Sequence, residues 1–214
     1  DLPPTNWLQR NPLVGDHLNE GDAGLYDLLL HSQDRAYTVP ELGAFVSNAG
    51  MKVTAFIAPF AYDPSRYIKN PKLLNRLNAL PWMERCAFSE LLTGSLKTHI
   101  FYAVKEARAG EIVAQIAAPD LAPTLIGLDA KQAAAALRKS GQLNAELEGL
   151  KLSFPVSEDD CTVLSLMTGT QARQDILNLV TVLRADMTPE SFDAAYDRLF
   201  GILNGLNLAF LQAR

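Results

Sequence analysis

His31, Asp34, Arg35 and Tyr37 fall within seven positions of one another, and their side chain types are those of a proton-handling site. An imidazole near a carboxylate can serve as the base for a nucleophile that must lose its proton. The same residues also read as local structure. Asp34 and Arg35 can cap or pair with their neighbours, and His31 can be a satisfied imidazole at or near the surface. Tyr62, Tyr67 and Trp82 are aromatic residues of the kind that fill cores as readily as they wall a site. Other chemistries lack their residues. His17, His31 and His99 do not combine with Cys86 and Cys161 at zinc-ligand spacing. The two cysteines therefore read as buried, reduced thiols of a cytoplasmic protein. No G-x-S-x-G, H-E-x-x-H or G-x-x-x-x-G-K-[ST] run occurs.

The elements that would position these groups are clearest after residue 37. Thr38 and Glu41 have capping-box spacing, and Pro40 sits in the first turn, where its missing N–H costs nothing. Leu42, Phe45, Val46 and Ala49 follow the helical period, and Gly50 stops the helix. Lys52 to Ile57 then reads as a buried strand, answered by a second strand over Lys97 to Lys105 that is apolar on both faces. Residues 59–95 between them read as mainly helical, with starts at Asp63-Pro64 and Asn70-Pro71 and a stop at Gly94. Before all this, residues 1–35 are rich in turn signals, with one short helix over Leu25–Leu30.

Residues 106–120 read as a linker, with Ile112–Ile116 as a candidate short strand. A helix capped by Asp129 follows. Two alternating stretches, Leu143–Leu147 and Leu150–Phe154, slip phase at Glu148-Gly149, which predicts a bulge or tight turn. Three helices come next: one capped by Ser157 with Asp160, one lined by Ile176, Leu179, Val180 and Leu183, and one opened by Thr188-Pro189. Leu206, Leu208 and Phe210 alternate as a closing strand.

The 214 residues suit one or two domains, and 48% apolar content is enough for a core. No apolar run approaches a membrane span and no signal peptide opens the chain. The chain starts at Asp1 without a methionine, as a natural fragment or a trimmed polypeptide would. Net charge is −5, and residues 106–214 hold all of the excess, with nine Lys/Arg against fourteen Asp/Glu. An acidic half repels phosphate, and Arg173 and Arg184 beside Asp175 are poor provision for DNA. Neither nucleic acid nor membrane is an expected partner.

The stretch Asp22 to Leu42 (DAGLYDLLLHSQDRAYTVPEL) resembles a segment of bacterial class I S-adenosylmethionine-dependent methyltransferases that carry an extra C-terminal module. The resemblance continues through the strand at 52–57 and through Leu91-Leu92-Thr93-Gly94 to Lys105. Residues 121–212 resemble the small winged-helix-like module of some of these enzymes, with Leu164-Ser165-Leu166-Met167-Thr168-Gly169 as a helix-to-turn signature. The implied fold class is α/β (mixed α+β): residues 1–105 as the end of a doubly wound methyltransferase sheet with a helical insert at 59–95, then a winged-helix-like α+β domain over 121–214.

In that family the donor lies on a Gly-rich turn after the first strand, and a carboxylate after the second strand holds the ribose. Here Gly21-Asp22-Ala23-Gly24 follows no strand and reads as a loop, so no cofactor residue carries over. S-adenosylmethionine is expected of a parent enzyme and not of this chain. The resemblance puts His31, Asp34, Arg35 and Tyr37, with the insert around Tyr62, Tyr67 and Trp82, where such enzymes cover their substrate. The expected function is the substrate-covering or regulatory C-terminal region of a methyltransferase. A non-catalytic protein-interaction or regulatory module is the alternative. Expected partners are an upstream methyltransferase core or a second copy pairing at the strands, with a protein substrate as a further class.

Overall fold

A computed structural model describes residues 19–30, 32, 35–147 and 149–213. They belong to two compact units, Asp1–Thr38 and Val39–Arg214. In the first unit, α1 spans Gly21–Leu30. The loop expected at Gly21–Gly24 is therefore the helix's first turn, where Asp22 faces the positive end of the helix dipole.

The second unit opens with α2 (Val39–Asn48), which buries Val39, Leu42 and Val46 at three- and four-residue spacing. Phe45, expected on that stripe, lies on the helix flank and is 59% exposed. Strand β1 (Met51–Ile57) pairs antiparallel with β2 (Ile100–Lys105), with a register irregularity between Val53 and Ala55. Strand β2 begins three residues later than the sequence suggests, because His99 turns away into a side-chain hydrogen-bond relay. Its alternate residues Ile100 and Tyr102 are 55% and 64% exposed, so only one face of the two-stranded sheet is covered. Between the strands run two short 3-10 turns (Pro59–Tyr62 and Pro64–Arg66), helix α3 (Pro71–Asn78) and helix α4 (Trp82–Thr93). The Asn70 side chain accepts from the Lys72 and Leu73 amides to start α3, and Gly94 in the left-handed region ends α4.

After β2 the chain makes a 3-10 turn (Glu106–Arg108) and one helical turn, α5 (Ala109–Ile112). The strand expected over Ile112–Ile116 is not formed. The strand on this side is β3 (Ala122–Leu125), which lies against the chain end as the antiparallel partner of β6 (Ala209–Gln212). Helix α6 (Ala130–Ser140) is capped by Asp129. The hairpin of β4 (Gln142–Leu147) and β5 (Leu150–Pro155) follows, turning where the apolar phase slips. Gly149 there has φ +80°, which a residue with a Cβ adopts only under strain.

Helices α7 (Glu158–Leu166), α8 (Arg173–Leu183) and α9 (Pro189–Gly205) complete the chain before β6. The closing strand sits three residues beyond its expected place, since α9 runs through Gly205 and Asn207, with φ +60°, makes the turn. Val163, Leu164, Met167, Ile176, Val180, Phe192, Tyr196, Leu199 and Leu203 form the main core, with Ala134 and Leu143 closing it from α6 and β4. The unit is thus mixed α+β, with helices packed around small antiparallel sheets. Among the described residues no helix is long and apolar enough to cross a membrane.

Candidate functional site

The chemistry-bearing cluster of the second unit is a relay of three side chains gathered from three segments. Tyr62 ends the first 3-10 turn after β1, Glu90 lies in the third turn of α4, and His99 directly precedes β2. The β1–β2 pairing sets the start of the insert beside its end, so that these three meet. The Tyr62 Oη lies 2.8 Å from His99 Nδ1, and His99 Nε2 lies 3.0 Å from Glu90 Oε1. The other Glu90 oxygen accepts the Val39 amide at 2.8 Å, which fixes the carboxylate against the start of α2.

The relay is enclosed. Tyr62 is 4% exposed, and Phe56 stacks on its ring at 4.2 Å between centroids while also approaching Trp82 and His99. An ionised carboxylate only accepts, so His99 Nε2–H donates to Glu90 Oε1. In the neutral imidazole that tautomer leaves His99 Nδ1 as the acceptor of the Tyr62 hydroxyl. Carboxylate, imidazole and hydroxyl in this order form the arrangement by which a base is oriented and then draws on a hydroxyl.

Tyr62 also belongs to the wall of a cleft of about 440 Å³. Phe60 and Pro64 from the turns, Trp82 and Arg85 from α4, and Asn204 from α9 are among its other walls. Phe60 seals one side by lying against Gly205, its ring held under the Arg66 guanidinium at 4.3 Å. Arg85 has no hydrogen-bond or ion-pair partner among the described residues, and its buried Nε is left without an acceptor. Sealing such a donor from water costs about 1–3 kcal/mol.

The residues singled out from sequence are placed differently. His31 and Asp34 lie outside the described residues. In the first unit, the Arg35 guanidinium sits 4.9 Å over the Tyr37 ring, a cation–π contact. Of the insert aromatics, Tyr62 and Trp82 border the cleft, and the Tyr67 hydroxyl donates to the Ala61 carbonyl. Glu90 and His99 were not among the expected site residues. The one available signal was a histidine at the edge of an otherwise apolar strand. Arg173 and Arg184 are both engaged by carboxylates, Arg173 by Asp193 and Arg184 by Asp159 and Asp186.

The cysteines take no part in the relay. Cys86 and Cys161 are each 1% exposed and unbonded to one another. Burial pushes the Cys86 thiol up to about 12 against the opposing pull of Arg85, and burial raises Cys161 as well. Since only the thiolate reacts, Ellman's reagent at pH 8 is expected to label neither thiol in the folded protein and both in denaturant. Prompt labelling of native Cys86 would contradict this burial. Among the described residues no three His, Cys, Asp or Glu side chains gather as metal ligands would. A scan of the chain against protein-family models finds no match.

Proposed function

We propose that this chain is the substrate-covering, regulatory C-terminal region of an S-adenosylmethionine-dependent methyltransferase whose donor site lies on other polypeptide. The observation that carries the reading is the β1–β2 pair. Two antiparallel strands, entered through α2 and leaving Ile100 and Tyr102 open on one face, suit the end of a larger sheet. Two strands alone are marginal in water. A neighbouring core would cover that face and its edge. In its finer form the reading makes β1 and β2 the end of a doubly wound sheet and residues 121–214 a winged-helix-like accessory module. The insert between the strands then covers the methyl acceptor, with Tyr62 and Trp82 at the cleft and the Glu90–His99 pair behind Tyr62.

The same open face also suits a non-catalytic module that binds a second protein or a second copy, and donor binding separates the two readings. Titration calorimetry of S-adenosylmethionine into this chain alone is expected to give no micromolar dissociation constant. The native polypeptide carrying an upstream Gly-rich βαβ unit is expected to bind it and to lose methyl transfer on Tyr62→Phe. Micromolar binding by this chain alone, or a native polypeptide without such a unit, would overturn the reading.

A further inference from the structure

We propose that the cleft between α4, the Pro59–Arg66 turns and α9 binds a small organic monocarboxylate with an apolar body, held by Arg85 at the carboxylate. Such binding is expected whether or not a methyl group is transferred at this cleft. Two charged side chains are among those lining it, Asp63 and Arg85. Asp63 is already answered: it accepts from the Ser65 amide at 2.9 Å, the Ser65 hydroxyl at 2.8 Å and Arg66 Nε at 3.1 Å. Arg85 has no counterpart among the described residues, and its sealed Nε is a donor with nothing to donate to. The orphaned Nε is held at a cost, and the same guanidinium, which lines the cleft and has no partner among the described residues, is the group an acceptor arriving there would meet.

The acceptor's chemistry follows from the surroundings. A planar guanidinium matches a carboxylate with two parallel N–H···O bonds. One unmatched positive charge balances one negative charge. A phosphate dianion would bring a second negative charge close to Asp63, with no second cation among the described residues of the wall. Phe60, Tyr62, Trp82 and Pro64 supply apolar and aromatic surface, and about 440 Å³ is the size of a small-molecule site. The Asn204 amide donates to the Ala209 carbonyl at 2.9 Å, which holds that side of the cleft in place.

The test is titration of the whole chain by nuclear magnetic resonance, following the Trp82 indole N–H with three probes of one shape: 3-phenylpropionate, 3-phenylpropionamide and 2-phenylethylphosphonate. The carboxylate is expected to bind saturably, and the neutral amide about ten-fold more weakly or worse. Arg85→Gln is expected to lower carboxylate affinity by a similar factor, and Arg85→Lys to recover part of it, since an ammonium keeps the charge and loses the fork. Equal binding of acid and amide, unchanged affinity in Arg85→Gln, or no saturable shift with the acid would overturn the proposal. Tighter binding of the phosphonate would overturn the monocarboxylate assignment. Should Arg85→Gln fail to fold, the acid-against-amide comparison on the unaltered protein decides by itself.

Discussion

Gly205→Ala is expected to destabilise the protein by about 2–4 kcal/mol in equilibrium urea unfolding, an unusually large effect for one added methyl group. A Cβ at Gly205 would overlap the Phe60 ring at Cε1 and Cδ1, well inside contact distance. The obstacle is an aromatic ring, which cannot fold aside as a flexible chain end would. The ring is also held from other directions, by Arg66 above it and by Phe154 at 5.9 Å between centroids. Relief therefore requires the Pro59–Tyr62 turn to lift from α9, which would open the wall of the cleft. Phe60→Ala alone is expected to cost about 3 kcal/mol through its own cavity. Placed in that background, Gly205→Ala should cost little, because the clashing ring is gone. A strongly non-additive cycle is thus the expected outcome. Additive effects, or a Gly205→Ala protein as stable as its parent, would show that the turn does not lie on α9 as described.

Asp160→Ala is expected to cost about 2–4 kcal/mol, against about 1 kcal/mol for Ser157→Ala. Asp160 is 2% exposed, and its carboxylate is the meeting point of several donors. It accepts the Ser157 amide at 2.7 Å and the Ser157 hydroxyl at 2.8 Å, which with the return bond from the Asp160 amide closes the capping box of α7. Arg198 from α9 then donates to Oδ1 at 2.6 Å, tying the start of one core helix to the side of another. Ser157→Ala removes the cap hydroxyl, with its 3.2 Å bond from Arg198, and leaves the Arg198–Asp160 tie. Asp160→Ala removes the tie and the return half of the capping box, leaving the Ser157 N–H without its acceptor while Ser157 Oγ still accepts the residue-160 amide. Asp160→Asn should fall between, keeping the shape while surrendering the charge-assisted bonds. Equal losses for Ser157→Ala and Asp160→Ala, read from urea midpoints at constant m-value, would mean that the contact with α9 contributes nothing.

What could be read from sequence was what neighbouring residues decide among themselves. Asn70-Pro71, Asp129, Ser157 with Asp160, and Thr188-Pro189 each begin a helix where expected, because a cap joins groups no more than a few residues apart. The apolar phase slip at Glu148-Gly149 marked the β4–β5 hairpin for the same reason. Strand β3 was not legible: it has four residues, includes Pro123, and is formed only because β6 lies beside it. The relay was hidden in a similar way. Tyr62 and His99 are 37 positions apart and His99 and Glu90 nine, so no local pattern links them. Their meeting depends on the register of β1 against β2 and on the direction in which α4 returns, both decided by which apolar faces bury together. Only the packing of Phe60 against Gly205 shows why no larger residue fits there. Helix limits were thus set by short-range hydrogen bonding, while the cleft, its unmatched arginine and the relay were decided by tertiary packing of segments far apart in the chain.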